Sequence, residues 1–563
     1  MMTRHVSLTI AALLAAGLAE AKTKILYEGQ EFRNVTPADL VAHADQFSKM
    51  PCDGVMLPMH GTYSDGTPLH YREIAGSRKW EYESFAGQLP DLRKLAKMPC
   101  FADTALMSFM QPPKHIDWKD DAGWAVVAHN MGLVARITKE AGLKNNYIDW
   151  EDYTGAKQFF CIKGRDPSYD ECVKLARQRG REVFGAVYKA HPNLNMIFCW
   201  FLSEQRHFYF DGNDPQAECR KMGYLWPAFL NGLLDVIPPT GLVTDINEHG
   251  YRFDYRAADA YRDFFRQRGR AAELVAPENR AKFFLQHRFG CNVYPDVLVR
   301  GRTEPWYLEP VDGSRVEHFR RNMADMAEVS DNYVVSWGER YPYVVWDRKI
   351  PQTPRLTLHH DETWDVRLPG LYDGFAGIRD GEACIDWRIE QLKKKGKLVN
   401  LVRDSECKPL RDVKERKFIP GVHSWYRPWQ SAKAEQGVFG IDNAVGEGDH
   451  SSLCAKGVRS GMLEYRVADV KPGEWYAVKA SVKGPCPYLS IEFFEHDYTV
   501  QRLAKLRVDL DAPDANGWRH AKKLVKIPLC VDSFQVNMEL SQKPDDVTWL
   551  DNLSVYRLWP EGD

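Results

Sequence analysis

Residues 145–153, NNYIDWEDY, decide how the fold of this chain is interpreted. The run passes through Tyr147 into three carboxylates that are interleaved with aromatic side chains, which is typical of a strand that ends at a reaction site. Side chains alternate between the two faces of a strand, so Tyr147, Asp149 and Glu151 share one face and the residues between them share the other. The sequence therefore predicts a strand whose acidic face points into the mouth of an enclosing sheet.

Strand-length apolar runs alternate with helical patterns on both sides of this stretch. The eight runs predicted to be strands are 24–32, 52–59, 100–110, 145–153, 194–202, 242–246, 291–299 and 331–339. One intervening helix is predicted to begin at Pro37 behind a Thr36 N-cap, and another to end at Gly142. Eight β-then-α steps predict a parallel sheet closed into a (β/α)8, or TIM, barrel over residues 22–349. The seventh run is the weakest of the eight.

The pattern changes after the eighth run. Residues 350–412 lose the regular alternation and are predicted to form a connecting region packed on the barrel. Residues 413–563 are predicted to form an all-β antiparallel sandwich of the jelly-roll type, because short alternating strands are separated there by turn residues. The strands expected in it include 462–467, 475–482, 488–494, 524–527, 534–540 and 552–558.

The N-terminus carries an export pattern. Two basic side chains precede an apolar run over 6–18, which is followed by the small-x-small pattern Ala19-Glu20-Ala21. We expect a signal peptide over 1–21 and a secreted or periplasmic protein that begins near Lys22. The apolar run is far shorter than the roughly 20 residues that span a bilayer, so no membrane partner is expected.

The amino-acid composition limits the kinds of partner that the protein is expected to bind. The 75 Lys and Arg residues balance the 77 Asp and Glu residues, so no global field recruits nucleic acid or an anionic membrane. An uncharged ligand fits this balance better than a polyanion, with a local basic pocket left open. Twelve cysteines are scattered singly without zinc-type spacing, so we expect buried thiols with one or two bridges and neither a metal nor a cofactor.

Reactive groups of a (β/α)8 barrel sit at the C-terminal ends of its strands. The ionisable residues at the predicted strand ends are mostly acids: Glu28, Glu31, Asp103, Asp149, Glu151, Asp152, Glu204, Asp245, Glu248 and Glu339. Carboxylates among tryptophans, without a Gly-rich phosphate cradle, fit glycosidic bond cleavage better than phosphoryl transfer. Two acids one residue apart can have pKa values far apart, so that one stays ionised while the other keeps a proton for the leaving oxygen.

These acids receive hypothetical roles. Glu151 is predicted to be the general acid/base, Asp149 to position the substrate or stabilise an oxocarbenium ion, and Glu248 to be the second carboxylate. Glu339 is held in reserve, whereas Glu204 is interpreted as part of a surface charge pair. The residues expected to contact sugar are Trp150, Tyr153, Trp200, Asp245 and Trp337.

Asp149-Trp150-Glu151 resembles the tail of the Asp-x-x-Asp-x-Asp-x-Glu signature of family-18 chitinases. This resemblance implies that Glu151 is the general acid and that Asp149 orients an acetamido group. The likeness is partial, because Tyr147 and Lys144 occupy the positions of the second and first Asp of the signature.

Two other kinds of barrel resemble the same strand ends. In clan-D α-galactosidase-like barrels the nucleophilic Asp ends strand four and the acid/base ends strand six, which implies Asp149 with Asp245 or Glu248. In the large clan with a Glu on strands four and seven, Glu151 matches but no glutamate ends the seventh run. All three resemblances imply a barrel glycoside hydrolase with a carbohydrate substrate.

The C-terminal region has a resemblance of its own. Residues 471–476, KPGEWY, and 549–556, WLDNLSVY, resemble the turn and closing strand of carbohydrate-binding jelly-roll modules. Such a module is expected either to bind sugar or to brace the barrel.

Two alternative functions remain open at this point. A non-catalytic glycan-binding protein would keep the barrel as a scaffold, and the lack of two inward carboxyl groups roughly 5–10 Å apart would favour it. A lyase or another sugar-modifying barrel would use a Tyr, His or Lys base, for which His207 and His249 are candidates.

Overall fold

The computed structural model describes residues 23–248, 251, 257–310, 314–349, 358–379, 385–403, 405, 426–432, 437–448, 451–468, 470–495, 502–528 and 531–558. The expected signal peptide over 1–21 and the candidate base His249 lie outside the described residues. The chain divides into two compact units between residues 380 and 381. Within the described ranges, no helix is long and apolar enough to cross a membrane.

Eight parallel strands form a closed barrel in the first unit, and they pair with one another in chain order. Their bounds are β1 Lys24–Gly29, β2 Gly54–Pro58, β3 Ala105–Phe109, β4 Asn145–Asp149, β5 Asn195–Cys199, β6 Leu242–Asn247, β7 His287–Val293 and β8 Tyr333–Gly338. The last strand closes on the first, from the pair Lys24 and Tyr333 to the pair Gly29 and Gly338. The predicted (β/α)8 barrel is confirmed.

Helices follow the strands around the barrel. Their bounds in this unit are α1 Pro37–Ala42, α2 Ala44–Ser48, α3 Glu83–Ala86, α4 Leu89–Leu95, α5 Asp121–Ala141, α6 Tyr169–Ala190, α7 Pro215–Met222, α8 Trp226–Val236, α9 Ala257–Ala271, α10 Arg280–Gln286, α11 Arg315–Val329, α12 Trp364–Arg367 and α13 Leu371–Arg379. As predicted, the Thr36 side chain caps α1 by accepting a hydrogen bond from Asp39 N–H. Gly142 ends α5 with a left-handed φ of 80°, also as predicted.

Most strands are shorter than predicted, and β4 ends at Asp149 instead of residue 153. In three of the runs, 3-10 turns occupy part of the predicted strand. These turns span Gln30–Asn34, Pro99–Phe101 and Pro295–Leu298. The seventh strand differs most, since it begins at His287 and ends at Val293 instead of spanning 291–299. Pro295 has no N–H to donate to a sheet ladder, so the strand cannot continue through it.

Alternate strand residues face the barrel axis. The inner side chains pack together as one cluster that includes Leu26, Met56, Met107, Tyr147, Ile197, Ile246 and Val335. The residues between them, such as Ile148 and Phe198, belong to the larger core between the strands and the helices. The predicted two-residue alternation along β4 is therefore confirmed.

The second unit begins with α14, Ile385–Lys394, and continues as two five-stranded antiparallel sheets. The strands are β9 Tyr426–Gln430, β10 Val438–Asp442, β11 Ser452–Lys456, β12 Gly461–Val467, β13 Trp475–Lys483, β14 Leu489–Glu495, β15 Arg502–Val508, β16 Trp518–Lys526, β17 Val531–Leu540 and β18 Val547–Arg557. The sheet orders are β9-β12-β17-β14-β15 and β10-β11-β18-β13-β16. Side chains of both sheets, including Tyr465 and Tyr476, share one hydrophobic core. The predicted all-β sandwich is confirmed.

Candidate active site

The mouth of the barrel is lined by residues two positions beyond the inner layer. These residues are Glu28, Phe109, Asp149, Cys199, Glu248 and Trp337. Neighbouring strands hold them in register, so that Asp149 pairs with Phe109 on one side and with Cys199 on the other. Two-residue periodicity therefore carries these side chains to the same end of the barrel.

Carboxyl groups from β4 and from the end of β6 form one cluster around a thiol. One ligand atom each of Asp149, Glu151 and Cys199 lies within 4.8 Å of the other two. The Cys199 thiol donates to Glu248 Oε1 at 3.5 Å. These contacts limit the distance between a Glu151 oxygen and Glu248 Oε1 to at most about 8 Å. Three of the four predicted catalytic acids thus lie together.

Burial raises the pKa of every carboxyl group in this cluster. Desolvation, followed by the negative charge of Glu151, raises the pKa of Glu248 to about 8. Desolvation and the same charge raise the pKa of Asp149 well above its usual range. The pKa of Glu151 is also raised by desolvation, but a hydrogen bond from Tyr153 and the charge of Arg33 oppose the rise.

Glu28 contributes a further buried carboxyl group from β1. It is 4% exposed, and desolvation raises its pKa to about 7. The charge of Arg33 and a hydrogen bond from the Tyr147 hydroxyl oppose this rise, whereas the charge of Glu151 adds to it. Glu28 is thus electrostatically part of the cluster, although the sequence prediction gave it no role.

Arg33 brings a positive charge to the mouth, and sequence reasoning missed it. It lies in the 3-10 turn after β1, donates to Tyr71 Oη, and holds its guanidinium 5.2 Å from the Trp337 ring centroid. Its positive charge interacts with Glu28 and Asp149. The residue has no sequence signal, because a lone arginine in a turn looks like any surface arginine until β1 is placed.

Glu339 forms a side-chain hydrogen bond with a tyrosine and not with a member of the acid cluster. Tyr294 donates to Glu339 Oε2 at 2.5 Å, and its ring centroid lies 5.0 Å from that of Tyr251. Tyr251 in turn donates to Glu248 Oε1 at 2.9 Å. Glu339 is therefore linked to Glu248 only through two aromatic side chains, Tyr294 and Tyr251, in the contacts that the structure describes.

Two of the expected sugar contacts face away from the mouth. Asp245 accepts hydrogen bonds of 2.6 to 3.0 Å from two backbone N–H groups and a serine hydroxyl of residues 201–203. Its carboxylate therefore braces the turn that follows β5. Trp150 is 4% exposed and stacks on Trp226 with a centroid distance of 4.6 Å, inside the core between strands and helices.

The other three expected sugar contacts lie at the mouth. Trp337 faces Arg33, and Tyr153 is 66% exposed and donates to Glu151. Trp200 packs on the inner layer and has a left-handed φ of 61°, which is rare for a bulky residue and concentrates at functional sites.

Glu204 is partly buried. It does not belong to a surface charge pair among the described residues, although the sequence suggested one. It accepts a hydrogen bond from Tyr224 Oη at 2.5 Å. Burial raises its pKa, and the charge of Glu151 contributes to the rise. Glu204 therefore lies within the electrostatic field of the cluster.

The three mutually close groups Asp149, Glu151 and Cys199 have the spacing to hold a metal ion. The Cys199 thiol would have to lose its proton to do so, and desolvation, with the nearby carboxylates, raises its pKa well above its usual range. All nine cysteines that the structure describes carry free thiols. The donor set fits proton transfer better than a dedicated ion site.

No protein-family model and no curated protein matches the chain. Solved structures match parts of it at low similarity. The enzymatically active domain of bacteriophage CBA120 tailspike protein 4 is 15% identical over 23% of this chain and 19% of its own, with a TM-score of 0.20. This chain thus spans about a fifth of that domain.

Two further solved structures come from xylan-related proteins. The CBM22-1 and GH10 modules of Clostridium thermocellum endo-1,4-β-D-xylanase 10B are 12% identical over 24% of this chain and 26% of their own, with a TM-score of 0.18. The CBM22-1 xylan-binding domain of Paenibacillus barcinonensis Xyn10C is 10% identical over 29% of this chain and 97% of its own, with a TM-score of 0.22.

Proposed function

We propose that this chain is a glycoside hydrolase that cleaves a poly- or oligosaccharide by a two-carboxylate mechanism. The observation that carries the proposal is the pair Glu151 and Glu248, which lie on either side of the Cys199 thiol at the mouth of a (β/α)8 barrel, with carboxylate oxygens at most about 8 Å apart. Carboxyl pairs about 5–10 Å apart serve retaining or inverting glycosidases. A glycan-binding scaffold has no need to bury so many carboxyl groups together, since each is costly to desolvate.

The protonation states favour one division of labour within the pair. With a pKa of about 8, Glu248 keeps its proton at neutral pH and is suited to protonate the leaving oxygen. Glu151 is stabilised in its ionised form by Arg33 and by the Tyr153 hydroxyl. In this proposal Glu248 is the general acid and Glu151 the nucleophile or general base, which exchanges the roles predicted from the strand pattern.

The remaining mouth residues support the reaction through charge. Asp149 accepts a hydrogen bond from Glu151 N–H at 2.9 Å and so fixes the start of the loop that carries Glu151. Arg33 offsets the negative charge of the cluster without forming an ion pair to either member of the Glu151 and Glu248 pair within the described residues. Trp200 and Trp337 offer indole faces on which a pyranose stacks.

The proposal is tested by screening the purified protein against a panel of poly- and oligosaccharides and then assaying E151Q and E248Q on the substrate found. We expect each variant to lose activity by about 10²–10⁴-fold, which is the usual contribution of a positioned acid or base. Full activity in both variants would refute the assignment. Tight glycan binding without any cleavage by the unmodified protein would support the glycan-binding alternative instead.

We also propose that the protein is exported, on the strength of the charged, apolar and small-residue pattern over 1–21. The intact mass of the protein purified from its native host is expected to correspond to a chain that begins near Lys22. A mass that includes residues 1–21 would contradict this.

A further inference from the structure

The two oxygens of the Glu248 carboxyl group have different surroundings. Oε1 accepts hydrogen bonds from the Tyr251 hydroxyl at 2.9 Å and from the Cys199 thiol at 3.5 Å. Oε2 has no hydrogen-bond partner among the residues that the structure describes, and it is not enclosed, since Glu248 is only partly buried. The carboxyl group is therefore held by one oxygen and open at the other.

Both donors reach Oε1 because of where the barrel places them. Cys199 ends β5 and pairs in register with Ile246 of β6, which lies two residues before Glu248 on the same face. Tyr251 comes three residues after Glu248 and is 9% exposed, and the ring of Tyr294 packs against it at a centroid distance of 5.0 Å. Strand register thus fixes the thiol, and ring packing fixes the phenol.

Both donors keep their protons at neutral pH. Desolvation, followed by the charge of Glu248, raises the pKa of Tyr251 well above its usual range. Desolvation and the nearby carboxylates do the same to the pKa of Cys199. A hydroxyl or a thiol that keeps its proton remains a hydrogen-bond donor. Oε1 therefore remains the acceptor of both hydrogen bonds throughout the neutral range.

This arrangement decides which oxygen of Glu248 carries the acid proton. A protonated carboxyl group has one hydroxyl oxygen and one carbonyl oxygen. With a pKa of about 8, Glu248 is protonated at neutral pH. Because Oε1 already accepts two hydrogen bonds, it is the carbonyl oxygen, and the proton is on Oε2. The proton thus lies on the oxygen that is open to the mouth of the barrel.

We propose that Tyr251, together with Cys199, is a positioning residue that holds Glu248 by Oε1 and so presents the proton on Oε2 to the leaving glycosidic oxygen. The inference rests on the proposed function and assigns two further residues to the same site.

The proton transfer that this arrangement serves is balanced within the proposed reaction. As the glycosidic C–O bond breaks, the leaving oxygen keeps its electron pair and takes the proton from Oε2, which leaves Glu248 ionised. Glu151, or a water that it activates, supplies the electron pair of the new bond at the sugar carbon. The hydrogen bonds from Tyr251 and Cys199 then stabilise the carboxylate that has formed.

The direction of these hydrogen bonds has a measurable sign. Desolvation and the charges of Glu151 and Glu28 raise the pKa of Glu248, whereas the hydrogen bonds from Tyr251 and Cys199 lower it. A hydrogen bond donated to a carboxylate favours the ionised form, whereas one donated by a carboxylic acid favours the neutral form. Removing a donor to Oε1 must therefore raise the pKa of Glu248. Removing an acceptor of its proton would lower that pKa.

Titration of Glu248 in the full-length protein tests the arrangement without any substrate. Carbon NMR of glutamate labelled at the side-chain carboxyl carbon follows the titration, and the Glu248 signal is the one that E248Q lacks. We expect Y251F to raise the pKa of Glu248 by on the order of one pH unit. Y294F is the matched control, because its hydroxyl contacts Glu339, and it should leave this pKa unchanged. An unchanged or lowered pKa in Y251F would overturn the proposal.

Two substitutions at Cys199 separate hydrogen bonding from packing. C199A removes the donor and is expected to raise the pKa of Glu248. C199S replaces a weak thiol donor by a stronger hydroxyl donor and is expected to lower it. Shifts in the same direction would overturn the role of the thiol, and far-UV circular dichroism checks that the variants are folded.

The pH profile of cleavage tests the consequence for catalysis on the substrate found by screening. We expect Y251F to lower kcat at least about tenfold while KM changes less than about threefold, because a misplaced acid slows the chemical step. The alkaline limb of the kcat/KM profile should move to higher pH. An unchanged kcat would overturn the positioning role and leave the hydrolase, whereas absence of cleavage by the unmodified protein would refute the hydrolase itself.

Discussion

Glu248 and Asp245 are close in sequence and yet belong to different environments. Glu248 lies in phase with the inner residue Ile246, whereas Asp245 lies one residue out of phase and faces the turn over 201–203. The sequence analysis preferred Glu248 as the second carboxylate but left Asp245 open as the strand-six acid, because the phase of β6 is set by which of its residues pack inside the barrel. Once the phase is known, Glu248 is the acid that faces Glu151.

The E248Q and E339Q variants separate the acid cluster from the nearby tyrosine network. We expect E248Q to lose about 10²–10⁴-fold in kcat, because it removes the proposed proton donor. E339Q should lose less than tenfold, since Glu339 contacts Tyr294 and not the cluster. Steady-state kinetics on the substrate found by screening measures both. A larger loss in E339Q than in E248Q would show that the second carboxylate has been misassigned.

Asp245 is predicted to affect folding and not chemistry. The change D245N replaces one carboxylate oxygen by an amide, so at least one of the three hydrogen bonds from residues 201–203 is lost. We expect the free energy of unfolding to fall by about 1–3 kcal/mol, the usual cost of leaving a buried polar group unpaired. Urea denaturation measures the loss. Because Asp545 is exposed and its carboxylate forms no hydrogen bond among the described residues, D545N should unfold like the unmodified protein.

At the scale of elements, strands and helices with a regular apolar periodicity can be predicted from the sequence, whereas elements without that periodicity are missed. Seven of the eight barrel strands could be located closely, because each is an apolar run of typical length between helical patterns, whereas the predicted seventh run shares only residues 291–293 with β7. In the sandwich, β9, β10, β11 and β15 were not predicted, and three of these are edge strands. An edge strand has few buried neighbours and so weak alternation: β10 has no fully buried residue.

The same reasoning explains which site residues could be found. Asp149, Glu151 and Glu248 stand at the ends of periodic runs, so a pattern search locates them. Arg33 lies in the 3-10 turn after β1, where sequence periodicity gives no orientation. Its place beside Trp337 becomes visible only when the eighth strand is paired with the first.

Two glycines of the long helix α6 give a matched test of helix packing. A Cβ on Gly180 would lie 2.0 Å from the carbonyl oxygen of Phe229 in α8, whereas a Cβ on Gly185 would meet nothing within 4 Å. We expect G180A to destabilise the protein by at least about 2 kcal/mol through overpacking. G185A should stabilise it by roughly 0.5–1 kcal/mol through helix propensity. Thermal or urea unfolding of both variants measures the difference, and equal effects would contradict this packing.

At the scale of the whole molecule, the barrel holds several buried carboxyl groups whose pKa values lie near neutrality. Desolvation raises the pKa of Glu28 and Asp296 to about 7 and that of Glu31 and Glu248 to about 8. Above their ordinary pKa values the unfolded chain has released these protons while the folded protein still binds them. Their contribution to stability is therefore present at acidic pH and is lost as the pH rises through the folded values.

We accordingly expect the free energy of unfolding to be lower at pH 8.5 than at pH 6.5. The decline should be on the order of 1 kcal/mol per pH unit, since a full proton released per unit corresponds to about 1.4 kcal/mol. Partly buried histidines with lowered pKa values, such as His70, act in the opposite direction but only below about pH 6.5. Urea denaturation at the two pH values measures the change. Higher stability at pH 8.5 would contradict the assignment of these raised pKa values, and E248Q should show a smaller decline than the unmodified protein.

The alternation along β4 implies that selection on folding and selection on chemistry fall on different residues of one short strand. Ile148 and Trp150 belong to the core, while Asp149 and Glu151 belong to the mouth. In a library of all single substitutions, changes at Ile148 and Trp150 should lower the cellular abundance of the protein. Changes at Asp149 and Glu151 should instead lower substrate turnover per folded molecule. New substrate preferences can therefore arise at the mouth positions at the end of β4 while the barrel that displays them is left intact.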